Sequence, residues 1–329
     1  MTVTESDRPA PPADPGRAAR RSGPRSAARP ALVQVGVRWL VRGLLVALGL
    51  AVVGSVWEAY KHWGPEDGVT VLGARVLPRT SDAAMPHLST IWHAFGKPEV
   101  GGAISFGPTK TVLDSVVDAC LHTLRWAAVG FAIGVTVGLL LAVLMDRLEV
   151  FERALMPYVV LSQTVPLIAL APLVTKWGQG SKIGSFEWQT WMSASVIAAY
   201  LAFFPVAVGM ARGLKSPSAV HADYFRCSAA GWWKTLVRLK LPSSVPYLVP
   251  ALRLAAAAAV VGTIVAEIST GLGDGIGRLI ITYSQQATGD PSRVYDAVIG
   301  AAVLGLAAAA AVTVFDLALW RYHRGASSR

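Results

Sequence analysis

Charge is scarce in this sequence. Charged residues make up 15% of 329 residues, against 53% hydrophobic. A soluble chain of ordinary composition carries about one quarter charged residues, so a water-soluble globular fold is disfavoured. Cysteine is scarcer still. Cys120 and Cys227 supply neither a disulfide framework nor a metal-ligand pattern. The six histidines are scattered, with no His-x-x-x-His pair, which speaks against a zinc enzyme. No Gly-x-x-x-x-Gly-Lys-Ser/Thr phosphate loop occurs, so nothing marks the chain as a nucleotide-binding engine. The sequence calls for no cofactor, no metal and no catalytic residue.

What it has in quantity is apolar length. A helix needs roughly 20 apolar residues to cross a bilayer, and six segments supply them: 37–57, 126–145, 154–174, 190–210, 247–268 and 297–317. Helices are expected because every backbone N–H and C=O must be satisfied within lipid. The fold class is therefore an all-α membrane protein with six transmembrane helices. Its divisions are a basic tail (1–35), a first transmembrane helix (36–58), an extracytoplasmic segment (59–118), a transmembrane domain (119–320) and a second tail (321–329). Residues 111–122 are expected to form an amphipathic helix leading into the second span.

The formal net charge is +10, which raises the question of nucleic acid. The excess sits instead in the first tail and in short loops beside apolar segments, where membrane topology places it. The tail holds Arg17, Arg20, Arg21, Arg25 and Arg29 in a Pro/Ala/Ser-rich run expected to be disordered. Arg147 and Arg153, then Lys215, Arg226, Lys234, Arg238 and Lys240, then Arg321, Arg324 and Arg329 fall on that same side if six spans are crossed. Both termini are thus expected in the cytoplasm, with Cys120 and Cys227 on opposite sides.

Within the spans three features stand out. Gly130, Gly134 and Gly138 share a helical face and permit close helix approach. The third span carries Pro157, Pro166 and Pro172 around Ser162, Gln163 and Thr164, which predicts an interrupted helix. Broken backbone at membrane depth is tolerated where it is buried or lines a watery cavity, so Gln163, Thr164 and Pro166 are candidate pathway residues, with a kinked packing helix as the alternative reading. Glu267, near the outer end of the fifth span, is the third feature, because an acidic group at that depth is costly. It joins the candidate pathway, with a structural hydrogen-bonded carboxylate as the plainer reading. Arg253 and Asp316, near the cytoplasmic ends, receive no role. The run Gly271-Leu272-Gly273-Asp274-Gly275-Ile276-Gly277 follows a span with no strand before it, so it reads as a flexible outer loop and not a dinucleotide motif.

The longest cytoplasmic loop, 213–246, looks structured. Ser216-Pro217 is expected to cap a short helix. Gly231 breaks it, and Trp232-Trp233 opens a second piece, with Trp232, Leu236 and Leu239 on one side and Lys234 and Arg238 on another. Pro242 is expected to end it. Such a pair is either a docking element or an interfacial helix pair resting among headgroups; the pattern alone leaves both open.

Aligned on Leu241-Pro242, this loop resembles the Glu-Ala-Ala…Gly…Ile-x-Leu-Pro loop of binding-protein-dependent ABC permeases. Leu239 takes the Ile position, Ala229 the Gly position and Asp223 the Glu position, with Tyr224 and Phe225 in place of the two alanines. Pro166, Ala171-Pro172-Leu173 and Trp177-Gly178-Gln179-Gly180 are similar to a second family run, with Gly178 where Phe is usual. Phe203-Phe204-Pro205 and Ala266-Glu267 also look like permeases of the aliphatic sulfonate, nitrate, taurine and thiamine-precursor importers. The resemblance implies a type I importer-like bundle in a bacterial inner membrane, with Asp223, Ala229, Gly231, Trp232, Trp233, Leu239, Leu241 and Pro242 in the ATPase-coupling loop. It implies as partners two cytoplasmic ABC ATPase subunits, an extracytoplasmic solute-binding protein and a second permease copy. ATP would be hydrolysed by the partner chains. An ion-coupled secondary transporter is the alternative; it would favour an internal repeat and paired ionisable residues at mid-membrane.

Overall fold

The computed structural model describes residues 31–71, 74–99, 110–183, 186–271 and 273–326. The disorder expected of the basic tail falls outside them, except that 31–35 already begin a helix. The chain divides into two units, Met1–Trp63 and Gly64–Arg329.

The first unit holds α1 (Ala31–Trp63), of which Gly43–Trp63 is long and apolar enough to cross a membrane. Leu44, Leu45, Val46 and Leu48 are all more than half exposed. A helix apolar on every side suits lipid.

The second unit opens with an antiparallel ladder of β1 (Val69–Val71) and β2 (Ala74–Leu77), then α2 (Leu88–Ala94). α3 follows as one helix, Val112–Arg147. Thr111 caps it, accepting from the Asp114 amide at 3.2 Å while the Asp114 carboxylate accepts from the Thr111 amide at 3.1 Å. The amphipathic helix expected over 111–122 and the second span are therefore one element, and the expected domain boundary at 118/119 falls inside it.

α4 (Glu149–Leu161), a 3-10 turn at Ser162–Thr164 and α5 (Leu167–Gly178) form the interrupted third span, bent by 99°. A small antiparallel ladder, β3 (Lys182–Ile183) and β4 (Phe186–Glu187), leads into α6 (Thr190–Leu214). α7 (Ala219–Cys227) and α8 (Trp232–Thr235) come next, then a π turn at Leu236–Lys240 and α9 (Leu241–Thr270). α10 (Ile276–Gln285) and α11 (Ser292–Ala326) close the described chain. Five helical runs are long and apolar enough to span, six with the bent pair counted as one. The fold is the expected all-α bundle, with two short ladders among the described residues.

One expectation fails in this stretch. Pro242 does not end the second short helix, because Trp232–Thr270 runs on as a single span-length element. Proline clashes with the carbonyl four residues back in a regular helix. Here it stands in the first turn of α9, directly after the wider π turn.

Small residues hold the centre together. A Cβ built on Gly130 would sit 2.4 Å from the Ala198 Cβ, and one on Gly134 2.7 Å from the Ala202 Cβ. A Cβ on Gly262 of α9 would meet the Ala198 Cα at 3.0 Å. α6 thus meets both α3 and α9 at backbone contact, the packing that membranes favour. Between spans, Arg253 of α9 pairs with Asp316 of α11 at 3.4 Å, a partnership the sequence reading had left unassigned.

The bundle has two ends. At one, Lys240 reaches the buried Asp146 at 2.7 Å and Lys215 bonds Glu152. At the other, Lys97 pairs with Asp290 at 2.8 Å and the Tyr295 hydroxyl donates to the Ala84 carbonyl at 2.7 Å. Burial alone would raise the Asp290 carboxyl, but the Lys97 ammonium and neighbouring Arg293 hold it below its usual value. α4 begins beside Glu152 at the first end, and Thr175 of α5 shares a cavity with Thr190 at the second. The bent pair therefore carries the chain from one end to the other.

Candidate functional site

The expected docking element is two short helices outside the spans. α7 ends in a Schellman motif: the Ala230 amide donates to the Phe225 carbonyl and the Ala229 amide to the Arg226 carbonyl, each at 3.0 Å. Ala229 takes the left-handed position at φ 49°, alone among described residues other than glycine. That is the position where the resemblance places a glycine. The expected cap differs. Ser218 holds the N-cap position, while the Ser216 hydroxyl bonds the Gly213 and Ser243 carbonyls at 2.7 and 3.0 Å, joining the end of α6 to the start of α9.

In α8 and the π turn after it the predicted sides hold. Leu236 is buried, Trp232 and Leu239 are half-buried, and Lys234 and Arg238 are exposed. The Arg147 guanidinium lies 4.8 Å from the centre of the Trp232 ring, fixing α8 against the end of α3. Gly231 starts α8 in extended conformation, Leu241 is half-buried and Pro242 exposed. Asp223 forms only a 3.4 Å pair with Arg226, both exposed. On the same loop Val220, Tyr224 and Trp233 are 77%, 69% and 68% exposed. This is a large apolar surface on a polar loop, framed by charge and fixed to the spans. A cavity of about 1290 Å³ separates α7 and α8 from α4, with Phe225 and Trp232 facing Met156 and Leu161 across it.

The bend between α4 and α5 has one cause. Proline pushes its predecessor out of the helical region, and Val165, before Pro166, is extended at ψ 126°. Pro157 and Pro172 lie inside helices and break nothing. Carbonyls near the break find side-chain donors: Val159 from the Ser162 hydroxyl at 2.7 Å, Leu161 from the Thr164 hydroxyl at 2.8 Å, and Ser162 from the Tyr200 hydroxyl. Thr164 thus supports the break. Gln163 bonds the Ser162 hydroxyl at 3.3 Å, and Pro166 is exposed.

Glu267 lies elsewhere. Its carboxylate is buried and accepts from the Thr123 hydroxyl at 2.9 and 3.0 Å and from the Gly277 amide at 2.9 Å. The Thr123 oxygen in turn accepts from the Ile276 amide at 2.9 Å. Two orphan donors at the start of α10 are satisfied this way, tying α3, α9 and α10 together. Gly275, Ile276 and Gly277 therefore wrap the carboxylate and its Thr123 partner, and the plainer reading of Glu267 fits this geometry. Beside it opens a cavity of about 350 Å³, lined by Trp126, Trp191, Gln189, His122 and Asp274 among others. None of Gln163, Thr164 or Pro166 lines it, so the four pathway candidates do not form one site. The sequence reading missed Trp126 and Trp191, whose rings stack at 4.6 Å; aromatic residues 65 positions apart give no local signal of meeting.

The family model described as binding-protein-dependent transport system inner membrane component matches residues 134–324. The chain is 36% identical over 47% of its length to a formylaminopyrimidine transport permease protein of Halalkalibacterium halodurans, covering 58% of that protein. It is 28% identical over 54% of its length to a putative aliphatic sulfonates transport permease protein of Bacillus subtilis, covering 60% of it. A riboflavin transport system permease protein of Chloroflexus aurantiacus is 29% identical over 39% of the chain and 44% of its own length. The chain thus spans less than two thirds of the curated relatives it matches. Among solved structures, an amino acid ABC transporter chain is similar over 62% of this chain and 93% of that one, at 15% identity and TM-score 0.48.

Proposed function

Because the chain belongs to the family of binding-protein-dependent transport system inner membrane components, we propose that it is the permease subunit of an ATP-driven importer, working with separate ATPase subunits, an external solute-binding protein and a second permease copy. Its family places it among membrane translocation subunits, which are not themselves enzymes. The solute is a small organic or oxyanion nutrient: a sulfonate, nitrate, taurine or a vitamin precursor. The observation that carries this reading is the exposed apolar surface of α7 and α8, Val220 and Tyr224 on the one and Trp233 on the other, on a loop that also carries the exposed Asp223–Arg226 pair. Apolar side chains of this size on a charged loop call for a partner that covers them.

The coupling follows from continuity. Trp232–Thr270 is one helical run, so a push on α8 is transmitted along α9 as a rigid element, about 45 Å over its 30 residues at 1.5 Å per residue. It ends at the Glu267 wrap. The cavity between α4 and the docking element gives α7 room to move. ATPase closure on this face would rock α9 against α6 and open the far end to solute released by the binding protein. The N- and C-termini and the docking face are assigned to the cytoplasm by the cation distribution.

The test is co-purification with candidate ATPase subunits, comparing the native chain with a double variant Asp223→Arg, Trp233→Glu. The expected outcome is a stable complex for the native chain, lost in the variant while membrane insertion is kept. Failure of any ATPase to bind the native chain would overturn the reading and leave an ion-coupled carrier as the better account.

A further inference from the structure

We propose that the cavity beside Glu267 is a solute subsite for a planar heteroaromatic ring carrying an amino group, neutral or cationic; this narrows the solute class and rests on the transport reading above. The cavity, about 350 Å³, is within the range of small-molecule sites. It is formed where α3, α6 and α9 meet the glycine-rich wrap.

Its lining sets the chemistry. Trp126 and Trp191 stack at 4.6 Å with their planes 15° apart, and both line the cavity. The Trp191 indole N–H is held by the Gln189 side-chain oxygen at 2.6 Å, and the Ser195 hydroxyl donates to the Trp126 carbonyl at 3.1 Å. A fixed aromatic platform of this kind suits a flat ring.

The acidic groups at the cavity are the buried Glu267 and the exposed Asp274, with His122; among the described residues no lysine or arginine lines it. A sulfonate or nitrate placed here would face the Asp274 carboxylate with no cation to offset it. An amino group faces acceptors instead. The Glu267 carboxylate has about four acceptor positions, yet among the described residues two groups donate to it, one of them a single Thr123 hydroxyl shared between both oxygens. A ligand N–H supplies the missing donor. The wrap also requires glycine at this wall, because a Cβ on Gly275 would fall 2.0 Å from Glu267 Oε1.

The test uses the full chain in lipid nanodiscs, with 4-amino-2-methylpyrimidine and methanesulfonate as probes in saturation-transfer NMR. Saturable binding of the pyrimidine and none of methanesulfonate is expected. Trp191→Leu should weaken the pyrimidine by about tenfold or more, the scale that aromatic–heterocycle stacking confers, and Trp191→Phe should restore part of it. Asp274→Asn, at an exposed position that leaves the Glu267 network intact, should weaken it as well. Absence of pyrimidine binding, affinity unchanged in Trp191→Leu, or displacement of the pyrimidine by methanesulfonate would each overturn the proposal. ATPase co-purification on the same samples separates the two readings: a retained complex without pyrimidine binding sinks only the subsite, and a lost complex sinks only the importer.

Discussion

Ala229 is where residue chemistry and backbone disagree most. At φ 49° it holds the left-handed position that closes α7, at a site where the family loop carries glycine. A side chain there costs about 1 kcal/mol relative to glycine. Ala229→Gly is therefore expected to stabilise the end of α7 by about that amount, seen as slower amide exchange at Ser228 and Ala230; an unchanged or faster exchange would contradict the strain argument. Gly178 shows the converse. Where the family run carries Phe, a Cβ at 178 would meet the Trp188 indole nitrogen at 2.1 Å, so an aromatic from the next hairpin occupies the space. The buried and exposed sides of α8 were legible in the sequence because they depend only on helical spacing. The partners of Ser216 and Glu267 were not. Glu267 meets Thr123, 144 positions away, and no local pattern carries that.

At the scale of elements, apolar length picked out the helices long enough to span, because crossing a bilayer is a one-dimensional requirement. Continuity was harder to read. The merging of 111–122 with the second span depends on nothing breaking α3. The passage of α9 through Pro242 depends on a π turn that no residue announces. Of three prolines in the third span, only Pro166 breaks it, because it alone has an extended predecessor. The glycine face of α3 was legible in spacing, and its partner, α6, came only with the structure. Gly134→Ala would place a Cβ 2.7 Å from the Ala202 Cβ and 2.8 Å from the Ala199 carbonyl oxygen, whereas a Cβ at Gly305 meets nothing within 4 Å. Overpacking of this kind costs about 1–3 kcal/mol. Gly134→Ala should thus lower the melting temperature in detergent, with Gly305→Ala neutral or slightly stabilising. Equal melting of the two variants would refute close α3–α6 contact.

For the whole molecule, the arrangement separates the proposed docking face from a polar cavity by the length of α9, and everything proposed about transport depends on which end faces the cytoplasm. The chain carries its own probe of that. Cys227 is exposed at the end of α7, while Cys120 is half-buried, its thiol 3.6 Å from the Gly300 carbonyl oxygen. In a Cys120→Ala background, a membrane-impermeant maleimide should leave Cys227 unlabelled in intact spheroplasts and label it once the membrane is opened. The reasoning is electrostatic. Lys215, Arg226, Lys234, Arg238 and Lys240 share that end, and translocating them would oppose the bias that sets orientation. Labelling from outside would invert the topology, place the α7–α8 face where no ATPase can reach it, and move the Glu267 cavity to the cytoplasmic side, where a binding protein delivering solute could not feed it.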